Sequence, residues 1–98
     1  MDRYRVVIAP EAANVIRSLR PDLKRAVRSA LAALGDDPAL GEPLRGELEG
    51  LWRYRVRRFR LVYAVDRAAR RVRVIAVGPR RRIYDDLTEA RRRRSPRG

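Results

Sequence analysis

The sequence predicts an α+β fold, a single sheet with two helices packed on one of its faces, in the order β-α-α-β-β-β. Three observations carry that expectation. A short β-prone segment opens the chain, two stretches with helical spacing lie between Pro10 and Gly35, and a period of two takes over from Leu51. Ninety-eight residues suffice for one small domain and not for two independent cores.

Tyr4 to Ala9 read as the first strand, and Pro10 stops it. Pro10 suits the first position of a helix, with Ala12, Ile16 and Leu19 falling on one side of it. Arg20-Pro21 ends that helix and starts another. In the second helix Leu23, Ala26, Val27, Ala30, Leu31 and Leu34 form one apolar stripe, and Gly35 is its expected stop. The two helices make a hairpin whose stripe needs a sheet to cover.

Residues 36–50 hold two Pro and three Gly and read as a brief ordered connection. Beyond it Trp52, Tyr54 and Val56 alternate with Arg53, Arg55 and Arg57, and Phe59, Leu61, Tyr63 and Val65 alternate with Arg60, Val62 and Ala64. Asp66 to Arg71 is a turn, and Val72 to Val77 is a last strand ended by Gly78-Pro79, which completes a three-stranded antiparallel meander. Arg80 to Ala90 fits a short helix or an extended edge. The expected organisation is one domain over 1–90 and a basic, flexible, solvated tail over 91–98.

Charge is unevenly distributed. The chain carries 25 Lys+Arg against 12 Asp+Glu, a net +13. Residues 1–50 balance 8 basic against 8 acidic side chains, whereas residues 51–98 hold 17 against 4. The surplus therefore lies where a polyanion would bind. The absence of Cys removes disulfides, thiol nucleophiles and Cys-ligated zinc, and the absence of His removes the usual general base. No metal-ligand spacing, Gly-rich phosphate loop or nucleophile elbow is visible, so neither metal nor cofactor is expected. No stretch has the roughly 20 apolar residues of a membrane span, and the start does not read as a signal peptide. A soluble protein of the cytoplasm, making no membrane contact, is the expectation.

A two-residue turn at Arg57-Arg58 would set Arg55 opposite Arg60 and Arg53 opposite Val62. Arg53, Arg55 and Arg60 then share one sheet face, and Trp52, Tyr54, Val56, Phe59, Leu61 and Tyr63 share the other, against the helices. Like charges directly opposed cost a sheet up to about 1 kcal/mol, an arrangement that a phosphate backbone rewards. Any single Arg on a half-exposed strand is an ordinary solvated residue; the set of three, with Arg80, Arg81 and Arg82 after the last strand, reads as functional. The turn lacks Asn-Gly chemistry to pin the register, and a slip of one would invert every face. Tyr84 reads either as a surface anchor or as a stacking or acid/base group beside the cations.

The string Gly50-Leu51-Trp52-Arg53-Tyr54-Arg55-Val56-Arg57-Arg58-Phe59-Arg60-Leu61-Val62-Tyr63, followed by Val77-Gly78-Pro79-Arg80-Arg81-Arg82-Ile83-Tyr84, resembles the RelE/ParE superfamily of toxin–antitoxin toxins, nearer to RelE. The likeness covers nearly the whole chain. It implies a ribosome-dependent mRNA endoribonuclease that uses no metal and inhibits translation: the ribose 2′-hydroxyl attacks the adjacent phosphate and leaves a 2′,3′-cyclic phosphate. It also implies a cognate antitoxin, the ribosome and mRNA as partners. By resemblance Arg53, Arg55, Arg60, Arg80 and Tyr84 form the catalytic set, with Arg57, Arg58, Arg73, Arg81 and Arg82 contacting RNA. Arg at 53 and 55 stands where the family's best-known member has lysines, and Arg cannot act as a base. The base role falls to Tyr84 or to the ribosome. A ParE-like, non-enzymatic inhibitor of DNA gyrase on the same scaffold is the alternative.

Overall fold

The computed structural model describes residues 3–79, 84 and 87–92. Strand β1 (Arg5–Ile8) is followed by α1 (Pro10–Arg17) and α2 (Pro21–Asp36), and each helix carries its Pro at the first turn, where a missing N–H costs nothing. The meander then runs through β3 (Trp52–Val56), β4 (Phe59–Asp66) and β5 (Arg71–Pro79). The α+β class and the β-α-α-β-β-β core are as the sequence predicts. The sheet is mixed, because β1 pairs parallel to β5 while β3, β4 and β5 pair antiparallel.

One strand is additional. Glu42–Pro43 form a two-residue β2 between two 3₁₀ turns, and β2 pairs antiparallel with β3, giving the order β1-β5-β4-β3-β2. The connection is thus ordered, as expected, but it also supplies a sheet edge. Gly35 corrects a second expectation. The helix runs through it to Asp36, and Gly35 is buried, with a Cβ there only 3.2 Å from the Tyr4 carbonyl oxygen. It serves the close approach of β1 to α2 rather than the helix stop.

The main core lies between the helices and one sheet face. Ala12, Ile16, Val27, Leu31 and Leu34 meet Leu61, Tyr63, Val72 and Val74, with Trp52, Tyr54 and Phe59 packed around them. The second face is not bare. Leu48, Leu51 and Val62 form a smaller cluster with Ile75, Tyr84 and Leu87 around it, Tyr84 and residues 87–92 being helical. Arg91 and Arg92, which the sequence places in the solvated tail, belong to this helical segment. Arg91 Nη1 donates to the carbonyls of Glu47 (2.9 Å) and Glu49 (3.2 Å), and Arg92 bonds the Glu47 carboxylate at 3.0–3.1 Å.

The two faces predict opposite mutational responses. Leu61 is fully buried, so Leu61→Ala is expected to cost roughly 2–5 kcal/mol. Arg55 faces Arg60 directly and is exposed, so Arg55→Gln should change stability by at most about 1 kcal/mol, upward. Urea titration of both variants checks the pair; equal losses would make Arg55 a structural residue.

Candidate functional site

The β3–β4 hairpin builds the site. Its register has Arg55 opposite Arg60 and Arg53 opposite Val62, as the two-residue turn at Arg57-Arg58 requires. Arg57 adopts φ 56°, the left-handed region, and its guanidinium reaches Asp22 on α2 at 3.4 Å. The Asp22 carboxyl lies below its ordinary value, held there first by the Leu23 backbone N–H and secondarily by Arg57.

Strand pleating turns Arg53, Arg55 and Arg60 away from the helices, onto the face that carries Val62. Together with Leu40, Gly41, Glu42 and Tyr54 they line a recess of about 290 Å³. An adjoining recess of about 350 Å³ is lined by Arg55, Arg57, Arg58, Arg60 and Pro79. Arg55 makes one long bond, Nε to the Arg57 carbonyl at 3.4 Å. Arg60 Nε is buried and has no hydrogen-bond partner among the described residues. A buried donor left unpaired costs about 1–3 kcal/mol, and such a group can take a partner from water, an ion or a ligand.

Arg53 differs from its neighbours. Its Nε and Nη2 both bond Glu42 Oε1, at 2.9 and 2.6 Å, across the β2–β3 pair. That bond, and secondarily the nearby Tyr84 phenol, raise the Arg53 pKa above its already high value, so this guanidinium holds its proton. The Tyr84 hydroxyl is buried without a hydrogen-bond partner of ordinary geometry among the described residues. Its ring packs against the Leu48–Leu51–Val62 cluster, which makes Tyr84 both an anchor of the helical segment and a neighbour of the cations.

The hairpin therefore gathers Arg53, Arg55 and Arg60, with Arg57 and Arg58 at its tip. Arg73 is exposed and pairs with Ala64, four residues along β4 from Arg60, so it stands apart from the recess. Arg80, Arg81 and Arg82 lie outside the described residues. Sequence reasoning missed Glu42, because its position depends on a strand that propensity does not signal. Trp52 stacks on Tyr63 on the helix side, with ring centroids 6.2 Å apart, and is unavailable to a base on the cationic face.

A buried tyrosine fixes the recess wall. The Tyr63 hydroxyl donates to the Pro38 carbonyl at 2.7 Å and accepts from the Gly41 N–H at 3.1 Å. Burial pushes its pKa from 10.0 up to about 12. In the unfolded chain the phenol ionises near its ordinary value. The stability contributed by Tyr63 is therefore full below pH 10.0 and is lost as pH rises toward about 12. Chemical denaturation through that window should show a steeper alkaline loss for the wild type than for Tyr63→Phe. Parallel profiles would remove the phenol from this role.

Among the described residues no helix is long and apolar enough to cross a membrane, and no group of three or more acidic, His or Cys side chains is placed to hold a metal ion. Comparison with known proteins agrees with this architecture. Toxin RelE of Mycobacterium tuberculosis is 36% identical over 83 residues, covering 83% of this chain and 86% of that protein. The toxin–antitoxin complex RelBE2 of the same organism contains a chain with TM-score 0.74 and 32% identity, over 82% of this chain and 94% of that one. A mutant of Escherichia coli toxin RelE in the free state has the same fold, with TM-score 0.75 at 22% identity over 92% of this chain and 97% of the other. Residues 4–84 match the family described as ParE toxin of type II toxin-antitoxin system, parDE. The match spans both helices and the whole hairpin, and the chain belongs to that family: it is a toxin of the RelE/ParE type.

Proposed function

We propose that this toxin is a metal-independent mRNA endoribonuclease acting on the ribosome, held inactive by a cognate antitoxin in the cytoplasm. The observation that carries the reading is the recess around Arg53, Arg55 and Arg60, in which the buried Arg60 Nε has no partner among the described residues. The ribose 2′-hydroxyl attacks the adjacent phosphorus, the 2′-O–P bond forms, and the P–O5′ bond breaks. The products are a 2′,3′-cyclic phosphate and a 5′-hydroxyl. Negative charge accumulates on the equatorial phosphoryl oxygens, and fixed guanidinium donors lower the barrier by binding that charge more tightly than the ground state. Arg55 and Arg60, together with Arg80, take this role. Arg57, Arg58, Arg73, Arg81 and Arg82 supply attraction to the RNA backbone. Arginine is no base, so proton transfer falls to Tyr84 or to the ribosome.

The antitoxin has the chemistry to neutralise a +13 domain: an acidic, apolar segment that orders as it wraps the cationic face. The second reading, non-enzymatic inhibition of DNA gyrase, is favoured by the ParE description of the family. One experiment separates the two. Single-turnover incubation with programmed ribosomes, read by primer extension, should reveal cleavage in the A-site codon. No cleavage, together with blocked supercoiling by gyrase, would establish the second reading.

A further inference from the structure

We propose that Glu42 is an internal counter-ion that occupies the phosphate-binding fork of Arg53 and is displaced when an RNA strand enters the recess. The inference rests on the RNA-cleavage reading above only for the identity of that strand. Arg53 uses Nε and Nη2, the edge that would grip a phosphate, on a single carboxylate oxygen of Glu42. Arg55 and Arg60 have no ion pair of this kind among the described residues. The carboxylate therefore masks one cation of three.

The fold holds the mask in place. Glu42 sits opposite Arg53 in the β2–β3 pair, and the preceding residue is clamped through Gly41 N–H to the buried Tyr63 hydroxyl. A Cβ at Gly41 would come within 2.3 Å of the Arg53 carbonyl oxygen, so only glycine lets the β2 segment approach this closely. The ion pair itself remains accessible, with side chains 40% and 68% exposed, and such a pair is cheap to open. A fixed carboxylate with a weak grip discriminates by concentration. Free RNA competes poorly for Arg53, whereas a strand already held beside the recess displaces Glu42 readily.

The test compares the wild type, Glu42→Gln and Asp36→Asn on a single-stranded 2′-deoxy oligonucleotide, which binds and cannot be cleaved. Asp36 pairs with Arg3 at 3.2 Å and lies at the C-terminal end of α2, so Asp36→Asn controls for the same change in net charge. Fluorescence anisotropy over a series of KCl concentrations should show Glu42→Gln binding about two- to fivefold tighter than the control. Its plot of log affinity against log salt should be steeper by about 0.7, one additional phosphate contact. In an Arg53→Gln background the gain from Glu42→Gln should vanish. Slopes that match for Glu42→Gln and Asp36→Asn overturn the inference. So does a Glu42→Gln protein that binds like the control yet cleaves on ribosomes about a hundredfold more slowly, since the carboxylate then acts in the chemical step. A wild type that cleaves nothing on ribosomes defeats the nuclease reading and leaves the slope comparison intact.

Discussion

Replacing Arg60 by Ala is expected to slow single-turnover cleavage of an A-site codon about a hundredfold while leaving ribosome binding within a few-fold of wild type. The expectation comes from what Arg60 lacks. Its Nε is buried and unpartnered among the described residues, and its Cα stands directly across the hairpin from Arg55. Both features oppose folding, and neither is repaid by a contact within the described protein. A phosphoryl group between Arg55 and Arg60 would satisfy the donor and screen the repulsion, and more strongly as charge builds on it. An equal loss of binding and of rate would instead make Arg60 an anchor for the ribosome. The comparison needs a variant with fewer cationic side chains and an intact recess. A chain ending at Arg92 serves, because Arg91 and Arg92 bond Glu47 and Glu49 and belong to the segment that carries Tyr84. That truncation should weaken association most at low salt and leave the cleavage step alone.

The parts of the fold that the sequence reveals are those in which one strand face is buried. Alternation in Trp52-Arg53-Tyr54-Arg55-Val56 leaves one register that puts every aromatic against the helices, and that register is the observed one. The helices are legible for the same reason, their stripes starting after Pro10 and Pro21. Strand β2 escapes such reasoning because Glu42-Pro43 has no strand propensity. It exists because the Tyr63 hydroxyl, more than twenty residues away, holds Pro38 and Gly41. One signal was present. Leu61-Val62-Tyr63-Ala64-Val65 is an unbroken apolar run, the mark of a strand covered on both faces. It foretells the Leu48–Leu51–Val62 cluster and the helical segment lying over it. Within the site, the three arginines follow from the register, whereas Glu42 depends on β2 and is visible only in three dimensions.

Gly41→Ala is expected to destabilise the protein by roughly 2–4 kcal/mol, the sum of a clash and the hydrogen bonds broken to relieve it. The new methyl would lie 2.3 Å from the Arg53 carbonyl oxygen and 2.4 Å from the Tyr63 hydroxyl. Neither neighbour can yield. The first is backbone within β3, and the second belongs to a fully buried ring in the main core. Gly41 has φ −82°, which alanine adopts freely, so the penalty is one of space and not of conformation. The segment carrying β2 must lift, and the Tyr63 hydroxyl then loses both the Pro38 carbonyl and the Gly41 N–H. For a domain of this size the loss corresponds to a drop in Tm on the order of 10–20 °C, measured by thermal denaturation. Tyr63→Phe removes the hydroxyl that the methyl meets and the bonds that its displacement would break. The two substitutions share one interaction, so the double variant should be less destabilised than the sum of the singles. Lifting the segment also withdraws Glu42 from Arg53, so folded Gly41→Ala protein should bind the 2′-deoxy oligonucleotide as Glu42→Gln does. A Gly41→Ala protein as stable as the wild type would mean that the segment rests against the sheet without being clamped to it.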